Sequence, residues 1–296
     1  MHRRLAPALL ALALLLSACG GAQDGSSSSG PFPSVSGEFG ERPALEFPEA
    51  TPSAELQTSV LREGDGAVVA AGDLLLAHYL GQVWDGAIID NSYDRGDMSA
   101  FQIGTGRIFE GWDTGLVGQK VGSRVLLTIP PELGFGPGGN EAAGVSGTDT
   151  LAFVVDLVGT YGPQASGAAD ASPTTESASA GPQVAGDPGS PPDVSVPSGL
   201  AEPTELTTTV LARSDGEPVV PGRVVVQLAA SFWDNSDGES TWELGQPRVE
   251  RVGAGGAFDE LVGIPVGSRV LQELPKTEST PAIALVVDIL AQSAVD

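Results

Sequence analysis

Hydrophobic and polar residues alternate along five stretches of the chain between residues 54 and 161. Each stretch is rich in Val, Leu, Ile or aromatic residues, and Gly or Asp turns separate them, which is typical of β-strands. A short helix is predicted over residues 110–118, where Trp112 and Leu116 lie four positions apart and share one helix face. The fold class is therefore α+β, an antiparallel sheet of about five strands with one short helix against it. The predicted strands cover residues 56–61, 74–84, 101–103, 123–129 and 150–159.

The same pattern returns between residues 204 and 292. Val-Gly-Ser-Arg-Val-Leu occupies residues 121–126 and recurs unchanged at residues 266–271. Two weaker similarities lie on either side of it in the same order, residues 60–66 with 210–216 and residues 153–157 with 285–289. These matches predict a duplicated fold, with a first block at residues 54–161 and a second block at residues 204–292.

Two stretches outside these blocks are rich in Pro, Gly, Ser and Ala. Residues 20–53 contain the run Gly-Ser-Ser-Ser-Ser-Gly-Pro. Residues 162–203 contain Pro-Gly-Ser-Pro-Pro and no aromatic residue. Such compositions lack the apolar surface needed for a core. We expect a flexible tether over residues 20–53 and a flexible linker over residues 162–203.

The first nineteen residues have the order of a bacterial lipoprotein signal peptide. Arg3 and Arg4 precede an apolar run over residues 5–16, which is too short for a spanning helix, and Leu-Ser-Ala-Cys closes the segment. This ending resembles a lipobox, in which Cys19 receives a lipid and becomes the new N-terminus. The alternative is an ordinary secretory signal with an incidental cysteine. The lipobox interpretation predicts an extracytoplasmic protein held at the cell membrane by a lipid anchor alone.

Charge and cysteine content exclude several kinds of site. The formal net charge is −24, so a nucleic-acid partner is not expected in the absence of a basic stripe. The single cysteine excludes an intrachain disulfide and a thiolate metal cluster.

Residues 90–96 have the oxygen-rich start of a calcium loop but not its remainder. Arg95 stands where the sharp turn requires Gly, and Phe101 stands where a bidentate Glu belongs. His78 follows no recognisable serine–histidine–aspartate pattern, and we interpret it as a residue of the sheet. We expect neither a metal nor another cofactor.

The first block resembles the FK506-binding-protein-type (FKBP-type) peptidyl-prolyl cis–trans isomerases, a family whose fold is an antiparallel sheet curled around one short helix. The similar segments follow the family order across nearly all of the block. They are His-Tyr-Leu-Gly at 78–81, Trp-Asp-Gly at 84–86, Ile-Asp-Asn-Ser-Tyr-Asp-Arg-Gly at 89–96, Ile-Phe-Glu-Gly-Trp-Asp at 108–113, Gly-Leu-Val-Gly at 115–118, Leu-Thr-Ile-Pro-Pro-Glu-Leu-Gly-Phe-Gly at 127–136 and Leu-Ala-Phe-Val-Val-Asp-Leu at 151–157.

The resemblance implies roles for particular residues. Trp112 forms the floor under a bound proline ring, and Ile108 offers its backbone N–H to a substrate carbonyl. Asp90 lies beside the rotating amide, held by Arg95 and the Tyr79 hydroxyl. Walls come from Tyr79, Phe101, Phe109 and Phe153, and Val145 closes the flap. The partners implied are proline-containing polypeptides, with FK506-type macrolides as inhibitors.

Three positions depart from the family pattern. Ile89 replaces a usual Phe before the Asp, and Ser99 replaces a usual pocket aromatic residue. Phe135 replaces a common Tyr whose hydroxyl binds the substrate carbonyl, which removes a hydrogen bond of about 1 kcal/mol. We expect a working but slower site that binds macrolides less tightly.

The second block keeps the framework motifs and loses the site residues. Ala229 aligns with Tyr79, and Ala257 or Phe258 falls at the position of Trp112. No counterpart of residues 90–95 is recognisable, and the flap loop is missing. We interpret this block as a degenerate copy.

Isomerisation of X–Pro bonds in exported proteins is the function that these features favour. One alternative is a non-catalytic module or chaperone that binds proline-containing segments at the cell surface. Another is a structural envelope lipoprotein that uses the fold as a spacer.

Overall fold

The computed structural model describes residues 31–175 and 181–295. The predicted signal peptide and its Cys19 lie outside these residues. In the described ranges, no helix is long and apolar enough to cross a membrane.

The chain first forms a small hairpin where a tether was expected. Strands β1 (Ser34–Ser36) and β2 (Ala44–Glu46) pair antiparallel. The turn between them lies on the buried ion pair of Arg124 with Asp156. Arg124 donates to the carbonyls of Gly37 and Glu41, while the N–H of Gly40 donates to Asp156 at 2.7 Å. The expectation of a flexible segment is therefore wrong for this hairpin, because the sheet supplies the polar partners that the segment lacks.

The first block forms a six-stranded antiparallel sheet in the order β3-β7-β8-β4-β5, with β6 also paired to β4. Its short helices are α1 (Ser92–Arg95) and α2 (Glu110–Leu116). The five predicted strands and the helix are all present, and the predicted fold class is confirmed. The sequence analysis missed β5 and α1. The strands are β3 (Gln57–Arg62), β4 (Leu74–Val83), β5 (Ile88–Asn91), β6 (Ser99–Gln102), β7 (Arg124–Ile129) and β8 (Leu151–Tyr161).

Helix α2 packs closely against the face of this sheet that carries the core. Trp112 and Leu116 are buried there together with Leu127. A Cβ on Gly111 would lie 2.5 Å from the side chain of Ile129, so a larger residue would push the helix away from β7. The helix thereby holds Trp112 over the middle of the sheet.

The expected linker also contains ordered structure. Strand β9 (Ser172–Pro173) extends the second sheet, and β10 (Gln183–Ala185) pairs with β11 (Asp193–Ser195) in a second hairpin. Arg269, which is ion-paired with Asp288, donates to carbonyls in the turn of this hairpin. The expectation of a flexible linker is therefore wrong along these strands. As in the first hairpin, a buried arginine of the sheet supplies the polar partners that the segment lacks.

The second block forms a sheet in the order β12-β16-β17-β13-β14, with β15 also paired to β13 and β9 paired to β12. The order of its main strands repeats that of the first sheet. Common descent by duplication stays a prediction from the sequence motifs. The strands are β12 (Thr207–Arg213), β13 (Gly222–Phe232), β14 (Asp237–Ser240), β15 (Arg248–Val252), β16 (Arg269–Leu274) and β17 (Ile283–Val295), with helix α3 (Thr241–Leu244) and a 3₁₀ helix (Ala257–Leu261).

Register corrects the expected alignment of Tyr79. His78 pairs with Asp156 and Gln227 with Asp288, so Leu228 takes the position of Tyr79 and the alignment of Ala229 is wrong. The physical reason is a one-residue difference in chain length: Tyr79 lies 19 positions after Val60, whereas Leu228 lies 18 positions after the equivalent Val210.

A counterpart of residues 90–95 also exists, contrary to expectation. Ser240 pairs with Ala229 as Asn91 pairs with Leu80. Thr241 then accepts from the Leu228 N–H as Ser92 accepts from that of Tyr79. The sequence analysis missed this segment because its side chains differ from those of residues 90–95. Its backbone is held by the Ser240 cap and the Thr241 hydroxyl.

Candidate active site

A cavity of about 510 Å³ opens between α2, the strands of the first sheet and the loop over residues 131–149. We call it the aromatic cavity. Most of the predicted site residues line it, namely Tyr79, Ile89, Asp90, Phe101, Ile108, Phe109, Trp112, Phe135 and Phe153. Arg107, Asn140 and Ala143 line it as well and were missed by the sequence analysis.

Trp112 forms the floor of the aromatic cavity. Its side chain is 2% exposed and lies in the first turn of α2. Tyr79, Phe101 and Phe153 meet its ring edge-on, with centroid distances of 5.4, 4.8 and 5.4 Å. Such T-shaped contacts fix the ring planes, so the floor is preformed and apolar. Among the residues that the structure describes, the indole Nε1 has no hydrogen-bond partner.

The opposite wall consists of Phe109, Phe135 and Phe153. The rings of Phe109 and Phe135 lie 4.8 Å apart in a T-shaped contact, and Phe109 lies 5.7 Å from Phe153. A Cβ on Gly81 would lie 2.3 Å from the Phe153 ring. Glycine at this position therefore allows the ring of Phe153 to lie against β4 and face the cavity.

A polar network stands at the rim of the aromatic cavity. The Tyr79 hydroxyl donates to Oδ2 of Asp90, and Arg95 forms an ion pair with Oδ1 of the same carboxylate. Nη2 of Arg95 also donates to the Tyr79 hydroxyl at 3.2 Å. These are the contacts that the resemblance implied for Asp90. Arg95 itself does not line the cavity, and it acts through Asp90 and Tyr79.

The network sets the charge of the rim. Burial acts to raise the pKa of Asp90, but hydrogen bonds from Tyr79, Arg95 and the Asn91 N–H outweigh it, so the pKa lies below its usual value. Burial and the Asp90 carboxylate raise the pKa of Tyr79. At neutral pH the rim therefore carries a carboxylate beside a protonated phenol.

Helix α1 positions Arg95. The Asn91 side chain caps the helix by accepting from the Tyr93 N–H at 2.9 Å. Ser92 is tied to β4, because its Oγ accepts from the Tyr79 N–H at 2.8 Å. Arg95 donates to Ser99 at 3.1 Å, so the serine that replaces the usual pocket aromatic residue binds the guanidinium. The same turn explains the oxygen-rich motif of residues 90–96, whose side chains cap and tether a helix.

Val145 does not take its expected place. It is 5% exposed, belongs to the core cluster and does not line the aromatic cavity. Its backbone N–H and carbonyl both bond with Asn140, at 2.9 and 2.8 Å. This pairing turns the loop so that Ala143 and Asn140 face the cavity instead.

Within the described residues, no group of three or more His, Cys, Asp or Glu side chains is arranged to hold a metal ion.

The corresponding place in the second block holds a smaller cavity of about 260 Å³. Leu228 replaces Tyr79 and Leu285 replaces Phe153 at the same register positions. Phe258 precedes Asp259 as Trp112 precedes Asp113, and both aspartates accept from glycine N–H groups. Of the two residues considered for the Trp112 position, Phe258 is thus the equivalent. Glu239, at the position of Asp90, pairs with Arg248.

Comparisons with known proteins find relatives of the first block. The sequence profile of the FKBP-type peptidyl-prolyl cis-trans isomerases matches residues 66–158. An FK506-binding protein of Streptomyces anulatus is 40% identical over 119 residues, which are 40% of this chain and 96% of that protein. FK506-binding protein 1A of Neurospora crassa is 41% identical over 112 residues, 37% of this chain and 91% of that protein. A solved structure described as AtFKBP13 matches at 32% identity with a TM-score of 0.33, over 35% of this chain and 91% of that one. Because the two FK506-binding proteins are 40% and 41% identical to this chain over 96% and 91% of their own length, the chain belongs to the family of FKBP-type peptidyl-prolyl cis–trans isomerases.

Proposed function

We propose that the chain isomerises X–Pro bonds of exported polypeptides and that the aromatic cavity is the catalytic site. The observation that carries this proposal is the junction of an apolar floor, Trp112, with an ionised rim, Asp90 held by Tyr79 and Arg95. A proline ring fits the apolar part, while its preceding amide lies at the rim. The clients are proline-containing polypeptides, and FK506-type macrolides compete for the same cavity.

The reaction requires no nucleophile. Rotation about an X–Pro bond passes through a twisted amide that has lost its resonance, over a barrier of about 18–20 kcal/mol. An apolar cavity disfavours the charge-separated planar amide, because it removes the water that solvates it. Groups that bind the twisted amide more tightly than the planar one lower the barrier further.

Asp90 supplies the second contribution in this proposal. Its carboxylate is held ionised by hydrogen bonds from Tyr79, Arg95 and the Asn91 N–H, so it faces the amide without having to reorganise. Twisting removes the resonance that shares positive charge with the nitrogen and leaves the carbonyl carbon more positive, so a fixed carboxylate that faces this carbon favours the twisted form. Phe135 offers no hydroxyl to the substrate carbonyl, which leaves this site with one donor fewer than a tyrosine would give.

The exported location rests on the N-terminal residues. The arginines, the apolar run over residues 5–16 and Cys19 support secretion followed by lipid anchoring at the membrane. Cys19→Ala expressed in a bacterial host should release the protein from membranes or leave an unprocessed precursor, whereas Ser27→Ala should behave as the parent. Detergent-phase partitioning measures the anchor. Equal partitioning of the Cys19→Ala protein would reject it.

A protease-free isomerisation assay on the chain from residue 20 to 296 tests the catalytic proposal. Trp112→Ala should lower kcat/KM strongly, because it removes the floor and admits water. Trp84→Ala is the matched control, since Trp84 packs edge-on against Phe47 at 5.2 Å outside the cavity. Asp90→Asn keeps the side-chain volume and should lower kcat more than it raises KM. A folded Trp112→Ala protein with parental activity would reject the aromatic cavity as the catalytic site and favour the alternative of a non-catalytic binding module.

A further inference from the structure

Arg107 lies at the mouth of the aromatic cavity, which it helps to line while its side chain stays exposed to solvent. The other charged residue of the lining is Asp90, whose carboxylate is paired with Arg95. Arg107 directly precedes Ile108, whose backbone N–H the family resemblance assigns to a substrate carbonyl. A client bound in the cavity therefore passes its backbone, and the side chains next to its proline, close to the Arg107 guanidinium.

A glycine turn fixes the backbone that carries Arg107. Gly104 and Gly106 have φ of 71° and 72°, a left-handed conformation that favours glycine. The Asp113 carboxylate in α2 accepts from the N–H of Gly104 at 2.6 Å and from that of Gly106 at 2.7 Å. Both oxygens of Asp113 are thus used by the turn, which attaches the residue before Arg107 to the helix that carries the cavity floor.

Two glutamines hold the guanidinium, one from each block. Nη1 of Arg107 donates to Oε1 of Gln102 and to Oε1 of Gln246, both at 2.9 Å. Gln246 follows α3 in the second block, where its N–H bonds back to the Thr241 carbonyl. Nε2 of Gln102 donates to the neighbouring Gly245 carbonyl at 3.2 Å, so the two glutamines belong to one polar contact. The second block therefore helps to orient a side chain of the aromatic cavity.

Further contacts keep the two blocks in this arrangement. Leu74 and Leu76 of β4 pack against Val225 of β13 in a buried cluster between the sheets. Arg223 of β13 also forms an ion pair with Asp97, which follows α1. An apolar contact and an ion pair thus accompany the hydrogen bonds of the glutamines, so Gln246 reaches Arg107 from a fixed support.

The charge of Arg107 is oriented but not neutralised. Both of its acceptors are uncharged amides, and among the described residues no carboxylate pairs with it and neither Nε nor Nη2 has a partner. Nε and Nη2 form one edge of the guanidinium, which suits the two oxygens of a carboxylate. Arg124 uses this same edge to bind Asp156, through Nε at 2.6 Å and Nη2 at 2.8 Å. The corresponding edge of Arg107 is open to a ligand.

We propose that Arg107 makes the aromatic cavity selective for clients that carry Asp or Glu directly beside the isomerised proline, and that the second block positions it through Gln246. This proposal rests on the proposed function of the aromatic cavity. It gives the second block a part in substrate selection without a catalytic site of its own. Neutral glutamines are suited to this role, because a carboxylate in their place would cancel the charge that binds the client.

The experiment uses the chain from residue 20 to 296, the protease-free isomerisation assay and short peptides blocked at both ends. The series Ala-Xaa-Pro-Phe and Ala-Ala-Pro-Xaa place Glu, Gln or Lys directly before or directly after the proline. In at least one series the parent protein should show a kcat/KM about 2- to 5-fold higher for Glu than for Gln, which corresponds to about 0.4–1 kcal/mol. Raising the salt concentration from about 0.05 M to about 0.5 M should reduce this preference, because salt screens exposed charge pairs.

Variants in both blocks test which groups carry the preference. Arg107→Gln should abolish the preference for Glu, and Arg107→Glu should replace it with a preference for Lys. Gln246→Glu should also abolish it, although Arg107 is still present, because the new carboxylate occupies the guanidinium. Gln183→Glu adds the same charge at an exposed position of the second block, and Lys276→Gln removes a cation from an exposed ion pair with Glu202. Both controls should keep the parental preference.

Equal kcat/KM values for the Glu and Gln peptides in both series would overturn the proposal. A preference for Glu that persists in the folded Arg107→Gln protein would also overturn it, and one that persists in the Gln246→Glu protein would remove the second block from substrate selection. NMR titration with the same peptides measures Kd directly. Tighter binding of the Glu peptide without isomerisation would support the role of Arg107 and reject the catalytic proposal, so the two failures are distinguishable.

Discussion

Arg124 and Asp156 form a bidentate ion pair in the interior of the first block. Nε of Arg124 donates to Oδ1 at 2.6 Å and Nη2 donates to Oδ2 at 2.8 Å, and the two side chains are 3% and 0% exposed. Arg269 and Asp288 repeat the arrangement in the second block. In each block a hairpin turn completes the hydrogen bonding of the arginine. The paired charges thus connect segments that have no apolar core of their own to the sheets.

Removing one partner of this pair should be costly. Arg124→Met leaves the Asp156 carboxylate buried without its charge partner, and we expect the free energy of unfolding to fall by about 3–5 kcal/mol. Lys120→Met is the control, because its ion pair with Glu63 is exposed and contributes little. Urea unfolding followed by circular dichroism measures both. Equal stability of the two variants would show that the buried pair contributes no more than an exposed one.

The first hairpin should stabilise the first block. Deleting residues 31–48 removes the Gly40 N–H from Asp156 and two carbonyls from Arg124, and each unsatisfied buried group costs about 1–3 kcal/mol. We expect a clear fall in the thermal unfolding midpoint of the chain that begins at residue 20. Deleting residues 21–30 instead is the control for shortening. An unchanged midpoint after deletion of residues 31–48 would restore the flexible-tether interpretation.

Phe135→Tyr should increase activity. The ring lines the aromatic cavity and contacts Phe109, so a hydroxyl on it can donate to a substrate carbonyl. One such hydrogen bond, made more strongly in the twisted state, raises kcat/KM by up to about tenfold, which corresponds to about 1.4 kcal/mol. Phe47→Tyr, at a ring outside the cavity, should leave kcat/KM unchanged. Equal rates for the Phe135→Tyr and parent proteins would remove Phe135 from the carbonyl site.

His78 should make the first block sensitive to mild acid. Burial lowers the pKa of His78 below 6.5, although Asp156 and Asp97 oppose the shift. In the window between 6.5 and the lower folded pKa, the unfolded chain binds more protons, so the free energy of unfolding falls as pH falls. His78→Gln, which introduces the residue found at the equivalent Gln227, should lessen this dependence. Urea titrations at about pH 7 and about pH 5.5 measure how much the free energy of unfolding of each protein falls with pH. An equal fall in the parent and His78→Gln proteins would contradict the prediction.

The sequence pattern by itself determined the strands of the first block and helix α2, whereas most of the residues around the aromatic cavity came from the family resemblance. The strands and the helix depend on short-range patterns, since alternation places every second residue of a strand on the core face. Trp112 and Leu116 were assigned to one face for the corresponding reason in a helix. The resemblance supplied the roles of Asp90, Arg95 and Tyr79, which periodicity could not.

Only the tertiary structure decided which segments dock on the sheets and how the second block is aligned. Composition does not reveal that Arg124 and Arg269 accept hairpin turns, because those bonds join residues far apart in the chain. Val145 is apolar whether it faces the core or the cavity, and its pairing with Asn140 makes that choice. Leu228, and not Ala229, is the equivalent of Tyr79, because the chain from Val210 to this position is one residue shorter than the chain from Val60 to Tyr79. In a strand, a shift of one residue exchanges the two faces, so this small difference in length determines which side chain reaches the site.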